Sequence, residues 1–129
     1  MSEAVARADL HLELLREKTL AVMADCLAGI DSIIAQIDVT PTPERRKKLH
    51  ELSCTITALG GMFQRDALSQ AAYSFCRLID ATEPGWDAAA VSVHVGAMRL
   101  LFTPARVTAE GQAKLLEGLL KVRRHSVAP

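Results

Sequence analysis

The chain has 129 residues, of which 50% are hydrophobic and 23% are charged, a composition that is typical of one globular domain and excludes a disordered chain. Basic and acidic residues number 15 each, so the formal net charge is zero. A dedicated nucleic-acid binder is therefore not expected, because it needs surplus basic charge to displace phosphate counterions. No apolar run approaches the roughly 20 residues that span a bilayer. We predict one domain over residues 1–129 that does not associate with membranes.

Three widely spaced cysteines, Cys26, Cys54 and Cys76, form no CxxC pair. The N-terminus lacks the basic-then-apolar order of a secretion signal. These features predict reduced thiols in a cytoplasmic protein, and they argue against a disulfide-based extracellular domain.

The first two segments have apolar residues at the spacing of amphipathic helices. The first helix is predicted from about Leu10 to Ile37, and residues 1–9 either extend it or fray. Thr42 is expected to cap the second helix, with Pro43 at its first position. The inward residues are predicted to be Leu12, Leu15, Val22, Met23, Cys26, Ile30, Ile33, Ile34 and Ile37 in the first helix, and Leu49, Leu52, Ile56, Leu59 and Phe63 in the second.

Three further helices follow. Asp66 is expected to cap the third, Asp87 the fourth over residues 88–102, and Thr108 opens a fifth that leaves residues 125–129 as a C-terminal tail. The fourth is apolar nearly all round, so we expect it to be buried on most sides. In the third helix the predicted inward residues are Ala67, Leu68, Ala71, Ala72, Phe75, Cys76, Leu78 and Ile79, and the outward ones Gln70, Ser74 and Arg77. Short connections predict an all-α, antiparallel up-and-down four-helix bundle with an additional helix.

Several enzyme motifs are missing from the sequence: a phosphate-binding glycine loop, a GxSxG nucleophile elbow and an HExxH zinc pair. His50 is the most informative polar residue, because it lies about 140° around the second helix from the apolar stripe and so is predicted to face solvent. An accessible imidazole beside short side chains and cations is suited to accept a phosphoryl group from a partner. The alternative is an idle surface histidine. The residues predicted to surround His50 and contact a partner are Arg46, Lys47, Ser53, Cys54 and Thr57.

The segment His50-Glu51-Leu52-Ser53-Cys54, followed by Leu59-Gly60, resembles the motif of histidine phosphotransfer (HPt) domains. In that family the motif is His-x-Leu-Lys-Gly, with a further glycine about ten residues after the histidine. The resemblance implies a helical bundle in which His50 accepts the phosphoryl group, Leu52 is the inward anchor and Gly60 is the helix-end glycine. Ser53 replaces the family's lysine and Cys54 its glycine, so a degenerate member that binds receiver domains without transferring phosphate also fits.

His94 is a second candidate site. On the fourth helix it points away from the polar strip, so we predict a buried neutral histidine that bonds a backbone carbonyl or a hydroxyl. A functional histidine is the alternative. The segment Leu59-Gly60-Gly61-Met62-Phe63, together with His94, also resembles small helical chemotaxis proteins of the CheE type from alphaproteobacterial signalling clusters. That resemblance implies a functional role for Gly60, Gly61, Met62, Phe63 and His94. It weakens the case for His50.

Two weaker patterns remain. The run Arg45-Arg46-Lys47-Lys48 is predicted to be either a docking surface for an acidic partner or a solvated helix start. His50 and Cys54 are four residues apart on one helix, so they could supply two of the four ligands of a zinc ion. We predict no metal site, however, because no further ligands stand at usable spacing.

The resulting hypothesis is a cytoplasmic two-component or chemotaxis protein that relays a phosphoryl group through His50, at most a phosphocarrier and not a free-standing enzyme. The HPt resemblance implies a receiver domain or a histidine kinase as partner, and no cofactor beyond a magnesium ion on the receiver. The first alternative is a non-catalytic adaptor that binds such a partner. The second alternative is a homodimer in which the fourth helix is covered by the other copy.

Overall fold

The computed structural model describes residues 2–103 and 106–127, and within these ranges the chain forms five α-helices. This architecture confirms the predicted all-α bundle with an additional helix. None of the helices in the described part is long and apolar enough to cross a membrane. The helices are α1 (Glu3–Ala35), α2 (Pro43–Met62), α3 (Asp66–Ala81), α4 (Ala88–Phe102) and α5 (Ala109–Val127).

Consecutive helices pack against each other, and α1 also meets α4, which closes a ring of four. The additional helix α5 lies against α3 and α4. Helix α3 therefore has three neighbours, and its apolar positions are almost all buried. Leu68, Phe75, Leu78 and Ile79 have no exposed surface and form the middle of the core. This central position makes α3 the helix against which polar side chains of the other helices are placed.

The predicted helix starts are confirmed for α2 and α4. The Thr42 hydroxyl accepts a hydrogen bond from the Arg45 N–H (3.2 Å), and Pro43 is the first residue of α2. The Asp87 carboxylate accepts one from the Ala90 N–H (3.0 Å) and another from the Ser126 hydroxyl (2.6 Å). The second bond ties the start of α4 to the end of α5. The prediction for α3 was wrong by one residue, because Asp66 is already helical and makes no capping hydrogen bond.

Helix α1 is much longer than its neighbours, with 33 residues against 15 in α4, which gives a length of about 50 Å. It begins at Glu3, so residues 3–9 extend it. The expectation that Leu12, Leu15 and Val22 face the core was wrong: they are 63%, 48% and 45% exposed. Leu12 and Leu15 point in the predicted direction, but they precede Thr19, the first buried residue of α1, so no other helix covers them. Val22 lies between the buried Thr19 and Met23 and is exposed because it points away from the core.

Two further expectations need correction. Residues 125–127, expected in a C-terminal tail, belong to α5. Helix α4 is less enclosed than predicted, because Val93 and Leu100 are 49% and 43% exposed. Helix α5 covers part of its outer side but not all of it.

The contact between α2 and α3 is unusually close at Gly60. A Cβ atom at this position would lie 3.2 Å from the backbone nitrogen and the Cβ of Ser69. The Cβ atom would also lie 3.2 Å from the Arg65 carbonyl oxygen in the turn after α2, so both the close packing of the helices and the tight end of α2 favour glycine here. This packing brings the side chains of α2 and α3 within hydrogen-bonding distance of each other.

Candidate functional site: a polar cluster between two helices

Arg46 fixes α2 against α3 and the turn that follows α3. Its guanidinium donates to the backbone carbonyls of Ile79 (2.9 Å), Gly85 (2.8 Å) and Pro84 (3.3 Å). It also lies 6.0 Å from the centre of the Trp86 ring. The prediction that Arg46 lies on the surface, where it could contact a partner, was wrong, because only 8% of the residue is exposed.

The other predicted neighbours of His50 divide into two groups. Lys47 and Cys54 are exposed, as predicted. Ser53 is completely buried, contrary to the prediction, and its hydroxyl donates to the carbonyl of His50 (3.0 Å). Thr57 is half-buried, and its hydroxyl donates to the carbonyl of Ser53 (2.9 Å). Two of the five expected surface residues, Arg46 and Ser53, are thus part of the packing between helices.

The error has a physical cause. The apolar stripe marks the side of α2 that faces the core, but α2 packs against both α1 and α3. Its buried arc is therefore wider than the stripe and includes Arg46, Ser53 and Gly60. On a helical wheel His50 stands beside this arc, about 80° from its centre, and not opposite to it. The position of the apolar residues alone does not identify buried positions that are occupied by polar residues or by glycine.

His50 lies at the edge of the contact between α2 and α3, with 43% of its side chain exposed. Its Nδ1 is 3.2 Å from the Asp80 carboxylate and 3.2 Å from the Cys76 sulfur. The carboxylate can only accept, so the Nδ1–H donates to Asp80. This bond orients the ring, and in the neutral tautomer it leaves the lone pair on Nε2, which lies 3.9 Å from the Cys76 sulfur.

Two thiols complete the cluster. The sulfur atoms of Cys54 and Cys76 are 3.8 Å apart, far longer than a disulfide bond. Burial raises the pKa of the Cys76 thiol to about 11; the Ser53 hydroxyl opposes this shift, and the neighbouring Cys54 adds to it. One ligating atom each of His50, Cys54 and Cys76 lie within 4.8 Å of one another.

This grouping corrects the expectation that no other residue joins His50 and Cys54. Cys76 was assigned correctly to the buried face of α3, and it lies at the end of that face nearest to α2. The spacing of these residues in the sequence is a signal for this grouping. Asp80 follows Cys76 by four residues, just as Cys54 follows His50, so each helix presents a pair of polar groups on one face.

His94 is buried, as predicted, with no exposed surface. Its Nδ1–H donates to the Ala90 carbonyl (2.9 Å), and its Nε2 accepts from the Ser74 hydroxyl (2.9 Å). The prediction that Ser74 faces outward was wrong, because this hydroxyl satisfies the histidine. Burial lowers the pKa of His94, and the charge of Arg123 acts in the same direction. Both ring nitrogens are used, so the neutral ring is part of the core.

The residues of the CheE-type resemblance do not form one site with His94. Met62 is 72% exposed at the end of α2, while the hydrogen bonds of His94 go to Ser74 and Ala90. A scan against protein-family models, a search of curated proteins and a search of solved structures each found no match to this chain. The HPt and CheE-type resemblances are therefore predictions, and the case for function depends on the His50 cluster.

Proposed function

We propose that this protein is an HPt-like phosphocarrier, in which His50 takes a phosphoryl group from a partner and passes it on. The observation that carries the proposal is the 3.2 Å contact between Nδ1 of His50 and the Asp80 carboxylate, on a ring that is 43% exposed. The nucleophile in such a transfer is an unprotonated ring nitrogen, and it needs access to the partner's phosphorus atom.

The contact supplies two elements of this chemistry. First, the Nδ1–H bond to Asp80 keeps the lone pair on Nε2, which can attack the phosphorus of an aspartyl phosphate. The bond between phosphorus and the aspartate oxygen breaks, and the carboxylate leaves with its electron pair. Second, the ring becomes positively charged as the N–P bond forms, and the Asp80 carboxylate stabilises that charge. Asp80 acts here as a positioning residue, since it contacts the nucleophile and not the phosphoryl group.

The surroundings of His50 support the access that transfer requires. Cys54, one turn after His50, is small and exposed, and Lys47 on the preceding turn is an exposed cation. A receiver domain that approaches from this side meets no bulky side chain at position 54. The magnesium ion and most of the charge stabilisation come from the receiver in this proposal.

The test begins with phosphoramidate, a small donor that phosphorylates accessible histidines and avoids the need for the natural partner. The expected result, after brief exposure to the donor, is one acid-labile phosphoryl group on His50, seen by intact mass and located by peptide mapping before the exposed His11 and His125 react. His50→Gln abolishes it, whereas His11→Gln, a change of an exposed histidine on α1, leaves it unchanged. Label retained in the His50→Gln variant would refute the proposal.

A phosphorylated receiver domain provides the second step of the test. Asp80→Asn removes the negative charge and is expected to slow labelling of His50 at least about tenfold. A purely structural role for Asp80 predicts unchanged labelling in protein that remains folded. Circular dichroism checks that the Asp80→Asn variant remains folded.

The non-catalytic adaptor is the second candidate. It is favoured by Ser53, which stands in place of the motif's lysine and is buried, so it offers no contact to a phosphoryl group. In this case the receiver binds, His50 is not labelled, and His50→Gln leaves the binding affinity unchanged. Binding measured by calorimetry beside the labelling assay separates the two candidates.

A further inference from the structure

We propose that His50, Cys54, Cys76 and Asp80 form a tetrahedral binding site for zinc or a similar divalent ion. The two pairs come from adjacent helices, His50 and Cys54 from α2 and Cys76 and Asp80 from α3. Within each pair the residues are four apart, so both side chains lie on the face that meets the other helix. The inference goes beyond the proposed phosphocarrier function and does not depend on it.

Three donors are grouped closely enough for one ion, because the ligand atoms of His50, Cys54 and Cys76 lie within 4.8 Å of one another, and Asp80 stands outside this group beside His50. With Zn–S bonds of about 2.3 Å and Zn–N and Zn–O bonds of about 2.0 Å, ligand atoms are about 3.8 Å apart for S–S, about 3.5 Å for S–N and about 3.3 Å for N–O. The corresponding distances are 3.8 Å between the sulfurs of Cys54 and Cys76, 3.2 Å from Cys76 to His50 Nδ1, and 3.2 Å from that nitrogen to Asp80. Asp80 contacts Nδ1 of His50, and its carboxylate must turn toward the two sulfurs to become the fourth ligand.

The ligand types select the metal. Two thiolates and an imidazole prefer zinc and its soft or borderline relatives, whereas magnesium and calcium prefer oxygen ligands. The site is also accessible, because Cys54 is exposed and the His50 side chain is 43% exposed. The Cys76 side is buried, so a bound ion would lie at the edge of the interface between helices and link α2 to α3.

Binding has a defined proton balance. Zinc replaces the protons of the two thiols, so two protons leave for each ion bound. When Nδ1 of His50 binds the metal, its proton is lost and Nε2 takes up one from solvent. A protonated Nε2 has no lone pair for attack on phosphorus. The metal-bound state is therefore predicted to be inactive in phosphoryl transfer.

The main test is titration of reduced, chelator-treated full-length protein with Co²⁺. We expect one ion per chain, with thiolate-to-cobalt charge-transfer absorption that Zn²⁺ displaces and Mg²⁺ does not. Cys54→Ser and Cys76→Ser each reduce the affinity about a hundredfold or more, and Asp80→Asn about tenfold. Cys26→Ser is the matched control, because Cys26 lies on α1 and belongs to the core instead of the cluster. It leaves binding unchanged.

A second measurement guards against loss of folding in the variants. Zinc is expected to raise the Tm of the wild-type protein and of Cys26→Ser, and to leave that of Cys54→Ser unchanged. Absence of the charge-transfer band, or its persistence in a Cys54→Ser/Cys76→Ser double variant, overturns the site. An unchanged affinity in Asp80→Asn overturns the assignment of the fourth ligand. These readouts need no phosphodonor, so metal binding combined with no labelling of the chelator-treated, metal-free protein refutes the phosphocarrier proposal alone.

Discussion

His50 and His94 are both held by α3, and their surroundings give them opposite properties. His94 bonds Ser74 and Ala90 through its two nitrogens and has no exposed surface. His50 bonds Asp80 through Nδ1, has only the Cys76 sulfur (3.9 Å) near Nε2, and its side chain is 43% exposed. Burial and two satisfied nitrogens make His94 part of the core, whereas partial exposure leaves His50 accessible at the edge of the contact between α2 and α3.

The largest expected effect separates the two histidines by stability. His94→Ala leaves a cavity and removes the partner of the buried Ser74 hydroxyl, so it should lower the free energy of unfolding by about 3 kcal/mol. His50→Ala removes a half-exposed ring and is expected to cost less than about 1 kcal/mol. Urea unfolding of both variants measures the difference. Equal losses would show that His50 contributes to the core and would undermine its assignment as an accessible nucleophile.

A second prediction concerns what places His50 beside Asp80. Arg46 is one turn before His50, and its guanidinium donates to the Ile79 carbonyl next to Asp80. Arg46→Ala is expected to lower the free energy of unfolding by about 2–3 kcal/mol, because it removes charge-assisted hydrogen bonds and takes the closest donor from the buried Ile79 carbonyl. Lys47→Ala, one residue further and exposed, should change it by no more than about 0.5 kcal/mol.

The control for this pair is Arg46→Lys. A lysine has a single ammonium group and cannot reproduce the planar fork that reaches carbonyls of α3 and of the following turn, so it is expected to recover little of the lost stability. Full recovery by lysine would show that the charge alone matters and that the hydrogen-bond geometry does not.

The fold was largely predictable from the sequence, because the apolar residues repeat at helical spacing and the capping residues mark helix starts. Thr42 and Asp87 illustrate this: each was predicted as a cap, and each accepts the expected backbone hydrogen bond. The wrong assignment of Leu12 and Leu15 to the buried face came from the length of α1. Periodicity gives the direction in which Leu12 and Leu15 point, but not whether another helix reaches far enough to cover them.

The candidate site was less predictable, because its main contacts join distant residues. Asp80 is 30 positions after His50, and Cys76 is 26 after it. Apolar periodicity cannot reveal buried polar residues either, and both Ser53 and Ser74 were assigned to outer faces for this reason. Instead, the Ser53 hydroxyl donates to the His50 carbonyl, and the Ser74 hydroxyl donates to Nε2 of His94. Single-helix geometry therefore predicted His94 correctly and described His50 only in part.

The smallest expected effect is a dependence of stability on pH that belongs to His94. Burial lowers its pKa in the folded state, whereas an unfolded chain keeps a value of about 6.5. Between these two values the unfolded state binds a proton that the folded state does not. The stabilising contribution is therefore complete above about pH 6.5 and is lost as the pH falls toward the folded-state pKa.

The slope from this one group is at most about 1.4 kcal/mol per pH unit. It is measured by urea unfolding at pH values from just above 6.5 downward, in the wild-type protein and in His94→Gln, which retains polar atoms but does not titrate. The variant should have a flatter profile in this range. Asp87, whose pKa the Ser126 hydrogen bond lowers, loses its contribution in more acidic solution because an unfolded aspartate titrates near pH 3.9. Identical slopes in the two proteins would show that the folded chain accommodates a charged His94, and the contrast with His50 would then be one of exposure alone.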